Sequence, residues 1–142
     1  MKVRDVMSTP VNMATPDDTI ERAAQLLANS DCGALPVAEN DRLVGMITDR
    51  DITVRAIAKG KQPGSCTVRE VMSSGIKYVY DDETTQSAAH NMGRLQVRRL
   101  PVLDRNKRLV GIVSLGDLAV KQDGVAEEAL RGVSLPASSR PS

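Results

Sequence analysis

Aromatic side chains are almost absent from this chain of 142 residues, which has two tyrosines, Tyr78 and Tyr80, and neither phenylalanine nor tryptophan. The core must therefore be built from Val, Leu, Ile, Ala and Met. Proteins that bind single-stranded nucleic acid stack bases on aromatic rings, so the composition argues against that class. Because 19 basic residues nearly balance 18 acidic ones, no electrostatic attraction to nucleic acid or an anionic membrane is predicted either.

Long apolar runs are also missing. No stretch approaches the roughly 20 apolar residues of a membrane-spanning helix, and the charged start Met1-Lys2-Val3-Arg4-Asp5 does not fit a signal peptide. We therefore expect a cytoplasmic protein. The length fits one compact domain with a substantial core.

Residues for catalysis or metal binding are few. Cys32 and Cys66 form no C-x-x-C pair, and the single histidine, His90, has no nucleophile or carboxylate at a recognised spacing. Hydrolase, phosphate-loop and zinc-protease motifs are absent as well. These observations predict a protein that is not an enzyme and has no obligatory cofactor, and they leave a redox or metal sensor as the weakest alternative.

An internal repeat is the strongest pattern in the sequence. Residues 3–8, VRDVMS, recur at 68–73 as VREVMS, and the Leu-Pro-Val of residues 35–37 recurs at 100–102. We predict three segments: a first repeat with its linker at 1–64, a second repeat at 65–123, and a short C-terminal helix with a flexible tail at 124–142.

Each copy is predicted to run strand, helix, strand, strand, helix, which gives an α/β (α+β) fold of two β-α-β-β-α repeats. In the first copy we expect a short strand at 11–15 and then a helix capped by an aspartate of Pro16-Asp17-Asp18, with Glu21 completing a capping box. Apolar residues at helical spacing form the stripe that this helix buries: Ile20, Ala23, Ala24 and Leu27.

The rest of the copy predicts a hairpin of residues 34–38 and 43–48, followed by a helix over about 49–59 that Gly60 ends. Because one repeat of about 60 residues exposes an apolar sheet face, the copies are expected to pack as a pseudo-twofold pair. Clefts between the two copies are then the expected ligand sites.

Two related strings join the last strand of each copy to its last helix: GMITDRD at 45–51 and GIVSLGD at 111–117. Here the sequence resembles the cystathionine-β-synthase (CBS) domain family over roughly residues 3–120, and looks especially like stand-alone bacterial CBS pairs, or Bateman modules. The resemblance implies a regulatory module that binds AMP, ADP, ATP, NAD or S-adenosylmethionine. It also implies a homodimer and a regulated partner protein, which the sequence does not identify.

The resemblance assigns four matching residues to the ligand. Asp51 and Asp117 are expected to bind ribose hydroxyls, and Thr48 and Ser114 to bind ribose or phosphate. Thr48-x-x-Asp51 and Ser114-x-x-Asp117 also satisfy a helix capping box, in which both side chains bind only backbone amides. A ligand-free dimerisation module therefore stays open as an alternative.

Other positions are assigned secondary roles. Arg99 matches a position that reaches phosphate in some members of the family, while its counterpart in the first copy is Ala34, so the two sites should differ in their preference for charge. Arg50 and Arg98 are possible helpers, with solvated surface arginines as the alternative.

Four further residues complete the predicted site. Met46 and Ile112 would flank the adenine, although strand residues are apolar in any case. Thr19 and Thr84 stand beside helix starts, where they are expected to act as caps first and to contact the site of the opposite copy second.

Overall fold

The computed structural model describes residues 1–30 and 33–121. Cys32 and the predicted C-terminal helix and tail at 124–142 therefore lie outside the described residues. The chain divides into two compact units. The repeat-1 unit comprises Asn12–Ile76, and the repeat-2 unit joins Met1–Val11 to the described chain from Lys77 onward.

The repeat-1 unit contains helix α1 (Ile20–Ser30) and an antiparallel hairpin of β1 (Ala34–Glu39) and β2 (Arg42–Thr48). This hairpin confirms the prediction. The strand expected at 11–15 shortens to one parallel bridge between Ala14 and Val37. Pro16, which has no N–H, follows closely and prevents a longer ladder.

The aspartate cap predicted for α1 is wrong, whereas the capping role predicted for Thr19 is confirmed. The Thr19 hydroxyl accepts the N–H of Arg22 at 3.1 Å. Asp18 binds the N–H of Thr15 in the preceding turn instead. Threonine and aspartate are both good N-caps, so their order in the chain does not decide which one is used.

The second helical stretch of this unit is irregular. It begins with α2 (Asp49–Asp51), continues as a π-helix over Ile52–Ala56 and ends as a 3₁₀-helix over Ile57–Lys59. Gly60 then adopts a left-handed conformation with φ of 75°, as expected for a helix-ending glycine. One further short helix, α3 (Val68–Val71), follows in this unit.

The repeat-2 unit contains a three-stranded sheet. Strand β3 (Val79–Tyr80) runs parallel to β4 (Arg99–Leu103), which pairs antiparallel with β5 (Leu109–Ser114). Two helices accompany the sheet, α4 (Thr85–Leu95) and α5 (Leu115–Lys121). The predicted order of elements in the second copy is therefore confirmed.

Each unit has its own apolar core, in which one face of the hairpin packs with helix residues. In the repeat-1 unit, the largest fully buried side chains are Ile20, Leu35, Ile47, Val37, Val68 and Val71. In the repeat-2 unit they are Met92, Leu100, Leu118, Val3, Val79 and Val102.

The repeated Val-Met openings are exchanged between the copies. Val3 and Val6, at the start of the first copy, belong to the core of the repeat-2 unit. Val68 and Val71, at the start of the second copy, belong to the core of the repeat-1 unit. Each compact unit thus combines the opening of one sequence copy with the strands and helices of the other.

None of the helices in residues 1–30 and 33–121 has both the length and the apolar character to cross a bilayer.

Candidate functional site

Strand alternation places the predicted site residues on one face of each hairpin. Ile47 on β2 is fully buried in the core, so its neighbours Met46 and Thr48 project from the opposite face, where both are half-buried. On β5 the buried Val113 separates Ile112 from Ser114 in the same way. We call this surface of each hairpin, opposite the core, the site face.

The neighbouring strand adds one residue to each site face. Ala34 is directly opposite Thr48, and Arg99 is directly opposite Ser114. Directly opposed residues in an antiparallel pair project from the same face. The structure therefore brings Arg99 beside Ser114 and puts Ala34 at the equivalent place in the repeat-1 unit.

Two further residues, Ser8 and Ser73, extend the site faces. Ser8 forms an antiparallel bridge with Ile112, exchanging N–H···O bonds of 2.8 and 3.1 Å. Ser73 forms the same bridge with Met46, at 2.8 and 2.9 Å. Neither serine is among the site residues predicted from the sequence. Their signal was present, because each ends the repeated Val-Met-Ser string.

The strand ends carry two complete capping boxes. The Asp51 carboxylate accepts the N–H of Thr48 at 3.0 Å through Oδ2, and the Thr48 hydroxyl accepts the N–H of Asp51 at 3.0 Å. Asp117 and Ser114 repeat this exchange at 2.9 and 3.1 Å. The predicted capping role is therefore confirmed at both places. It fixes each carboxylate at the end of its strand.

The second oxygen of each carboxylate has a different neighbour. In the repeat-1 unit, Asp51 Oδ1 is 3.8 Å from Nε of Arg55, an ion pair across one helical turn. In the repeat-2 unit, Asp117 Oδ1 accepts a 3.3 Å hydrogen bond from the hydroxyl of Ser8. The two sites thus have the same backbone arrangement, but the Oδ1 atoms of Asp51 and Asp117 have different partners.

The net charge also differs between the two units. Residues 1–11 and 77–121 carry ten Lys and Arg against six Asp and Glu, whereas residues 12–76 carry seven against nine. Arg99 and Arg50 are both exposed.

The backbone carbonyl of Arg98 accepts the N–H of Leu115 at 3.0 Å, so the main chain of Arg98 helps position the start of α5.

Thr19 and Thr84 both act as helix caps. Thr84 accepts the N–H of Ser87 at 3.1 Å, matching the bond that Thr19 receives from Arg22. Their backbones bridge to the exchanged openings, Thr84 to Lys2 and Thr19 to Thr67. Their expected contact with a ligand stays a prediction.

A groove of about 500 Å³ opens in the repeat-1 unit, beside the capping box. Its walls come from α1, from the residue just before β1 and from the irregular helical stretch: Ala24, Leu27, Ala28, Gly33, Asp49, Ile52 and Thr53. Leu115 and Leu118 occupy the places of Asp49 and Ile52 in the second copy, and both pack with the core of the repeat-2 unit.

The thiol of Cys66 is buried in the repeat-1 core. Burial raises the pKa of Cys66, and the negative charge of Glu70 raises that pKa further. A raised pKa disfavours the thiolate that reacts with oxidants and binds metal. In the part of the chain that the structure describes, no three His, Cys, Asp or Glu residues are placed to hold a metal ion.

Comparison with known proteins gives consistent matches over most of the chain. The family model for the CBS domain matches twice, at residues 3–56 and 68–123. The CBS domain-containing protein YhcV of Bacillus subtilis is 45% identical over 120 residues, which are 84% of each chain. Hypoxic response protein 1 of Mycobacterium tuberculosis is 40% identical over 82% of this chain and 81% of the relative. No catalytic family is indicated.

Solved structures with a similar fold include proteins of the same family. The crystal structure of Hypoxic Response Protein I with two coordinated zinc ions has a TM-score of 0.77 and 38% identity, covering 86% of this chain and 99% of that one. The CBS domain pair of protein MJ0100, in complex with 5′-methylthioadenosine and S-adenosyl-L-methionine, has a TM-score of 0.71 and 30% identity over 84% and 94% of the two chains. Two family matches in tandem, with relatives and structures matched over 81–99% of their own length, show that this chain belongs to the CBS-domain family as a CBS pair.

Proposed function

We propose that this CBS pair is a regulatory module that binds adenosine-containing nucleotides at its two site faces and is not itself an enzyme. The observation that carries the proposal is the duplicated carboxylate at the end of β2 and β5. Asp51 and Asp117 are each held by a capping box beside an apolar strand residue, Met46 or Ile112.

Each carboxylate retains capacity to accept hydrogen bonds. An ionised carboxylate has about four acceptor positions, and the capping box uses one of them. Because the box fixes the side chain, the other oxygen is preorganised for hydroxyl donors such as the 2′- and 3′-hydroxyls of ribose. Adenine would then lie against the side chain of Met46 or Ile112, and Thr48 or Ser114 would bind ribose or phosphate.

The comparisons support this class of ligand. The CBS pair of MJ0100 was crystallised with two adenosine compounds, 5′-methylthioadenosine and S-adenosyl-L-methionine. AMP, ADP, ATP and NAD share the adenosine group with these compounds, so all belong in the test. Arg99 favours a phosphorylated ligand in the repeat-2 unit, and Ala34 leaves the repeat-1 unit without that charge.

Regulation requires that the ligand bind one arrangement of the protein more tightly than another. We propose that this difference is transmitted through a homodimer to a regulated protein. A ligand-free dimerisation module is the second candidate, and the complete capping boxes favour it, because they give Asp51 and Asp117 a structural role without a ligand.

The test compares thermal stabilisation by AMP, ADP, ATP, NAD, 5′-methylthioadenosine and S-adenosylmethionine. A ligand that binds only the folded state at 1,000 times its Kd adds about 4 kcal/mol of stability. In Asp51→Asn and Asp117→Asn, the side-chain carbonyl still accepts the capping N–H, while the charge is lost. We expect each variant to lower the ligand-induced shift, and the double variant to abolish it.

A third capping box supplies the matched control. Glu70 accepts the N–H of Thr67 at 2.7 Å, away from the site faces. Glu70→Gln should therefore lower stability without changing the ligand-induced shift. If no adenosine compound shifts the wild-type protein, the nucleotide proposal is wrong and the dimerisation module is favoured.

A further inference from the structure

Ser8 is fixed beside Asp117 by its backbone and by its neighbour. The bridge to Ile112 holds the main chain of Ser8 against the free edge of β5. Met7 packs closely against Gly111 on the same strand. The Ser8 side chain therefore projects on the site face, where its hydroxyl donates to Asp117 Oδ1.

Among the described residues of the repeat-1 unit, the equivalent hydrogen bond is not formed, although the backbone pairing is the same. Ser73 bridges to Met46 as Ser8 bridges to Ile112. The carboxylate of Asp51 nevertheless binds the N–H of Thr48 and pairs with Arg55, and its contacts within the described residues do not include the Ser73 hydroxyl. The described part of the chain therefore contains two matching carboxylates, of which Asp117 accepts a serine hydroxyl and Asp51 does not.

We infer that the hydroxyl of Ser8 competes with the ligand for Asp117, so that the repeat-2 site binds a nucleoside more weakly than it would without this serine. The inference rests on the proposed function, in which ribose hydroxyls bind Asp51 and Asp117. A ribose hydroxyl approaching Asp117 Oδ1 must share that oxygen with Ser8 or displace it. At Asp51 no serine hydroxyl has to be displaced.

The expected size follows from the strength of one hydrogen bond. A typical hydrogen bond contributes about 0.5–1.5 kcal/mol net, equivalent to roughly two- to tenfold in affinity, and one to an ionised carboxylate can contribute more. Ser8 is exposed, and its donor-acceptor distance of 3.3 Å is long, so the effect belongs in the lower half of this range. Ser8 is thus an affinity-setting residue that makes the two sites unequal.

The experiment uses 5′-methylthioadenosine as the probe, because it carries the ribose diol and no phosphate that could bind Arg99. Isothermal titration of the full chain would measure each site alone: Asp51→Asn leaves the repeat-2 site, and Asp117→Asn leaves the repeat-1 site. Adding Ser8→Ala to the Asp51→Asn variant should lower Kd by about two- to fivefold, as expected for loss of one weak competing hydrogen bond.

Two variants control for indirect effects. Ser8→Thr keeps the hydroxyl and should restore the weaker binding. Ser73→Ala, added to Asp117→Asn, removes the matching serine of the other site and should leave Kd unchanged. A Ser8→Ala variant that binds no more tightly, or more weakly, overturns the competition. If wild type does not bind the probe, or both Asp→Asn variants bind it as wild type does, the proposed function itself fails and the inference fails with it.

Discussion

Gly111 and Met7 are so close that a Cβ added to the glycine would lie 2.5 Å from the methionine Sδ and 2.9 Å from its Cγ. Gly45 has the equivalent relationship in the other unit, with Ser73 O at 2.7 Å and Met72 Sδ at 3.0 Å. Each glycine of the repeated Leu-Val-Gly strand thus admits the exchanged opening against the strand. This close approach also positions Ser8 and Ser73 on the site faces.

Gly45→Ala should be strongly destabilising, because the new methyl group meets the backbone oxygen of Ser73, which itself accepts the N–H of Met46. Overpacking of this kind costs about 1–3 kcal/mol. Gly111→Ala meets mainly the flexible Met7 side chain and should cost less. Urea denaturation measures both changes.

Gly64→Ala is the control for the loss of a glycine. Its added Cβ meets only Glu21 Oε2, at an ordinary 3.5 Å. We expect a change in unfolding free energy within about 0.5 kcal/mol, as is usual for surface substitutions. Equal losses at Gly45 and Gly64 would show that the close approach is not what requires glycine at position 45.

Local patterns predicted the hairpins and helices well, because period-2 and period-3.6 burial is encoded in neighbouring residues. The choice between Thr19 and a neighbouring aspartate as the α1 cap could not be decided from the sequence, because both were predicted as caps and both side chains can accept a free backbone N–H.

The exchange of the Val-Met openings could not be predicted from local sequence patterns. It depends on which hydrophobic core receives Val3 and Val68, and both copies offer almost identical partners. Ser8 was missed for the same reason, because its contact with Asp117 joins residues that are 109 positions apart. Pattern analysis can detect a duplicated motif, but it does not show which copy completes which unit.

The ion pair of Arg105 and Asp82 should make the free energy of unfolding depend on pH. Two hydrogen bonds of 2.8 Å join them, and Arg105 also lies 4.0 Å from the ring centre of Tyr80. Hydrogen bonding from Arg105 lowers the pKa of Asp82 below its ordinary value of 3.8. The pair therefore stabilises the fold above that pH, and the contribution is lost as the pH falls through the lowered folded-state pKa.

Asp82→Asn should consequently reduce the slope of unfolding free energy against pH in the acid range, measured by urea denaturation from pH 6 downward. Asp81→Asn removes a neighbouring negative charge and serves as the control. The same acid slope in Asp82→Asn and wild type would contradict a stabilising role for the pair.

Arg99 should determine how strongly the repeat-2 site prefers phosphate. Because it lies directly across from Ser114, we expect Arg99→Ala to weaken AMP binding about tenfold, the effect of losing one charge-assisted hydrogen bond. Binding of 5′-methylthioadenosine should change little. Isothermal titration in the Asp51→Asn background measures both ligands at this site.

The reciprocal change gives a stricter test. Ala34→Arg introduces the charge across from Thr48 and should increase AMP binding in the Asp117→Asn background. Arg50→Ala, which removes an exposed arginine beside the other capping box, should leave the AMP preference of the repeat-2 site unchanged. Equal losses of AMP and 5′-methylthioadenosine in Arg99→Ala would indicate a structural role for the arginine.

Cys66 should react slowly with alkylating reagents while the protein is folded. Its thiol is buried in the repeat-1 core, and burial raises its pKa, so both access and thiolate fraction are reduced. In a Cys32→Ser variant, which leaves Cys66 as the single thiol, iodoacetamide at pH 8 should modify the folded chain at least about tenfold more slowly than the urea-unfolded chain. Equal rates would show that Cys66 is accessible in the native protein, and would strengthen the redox alternative.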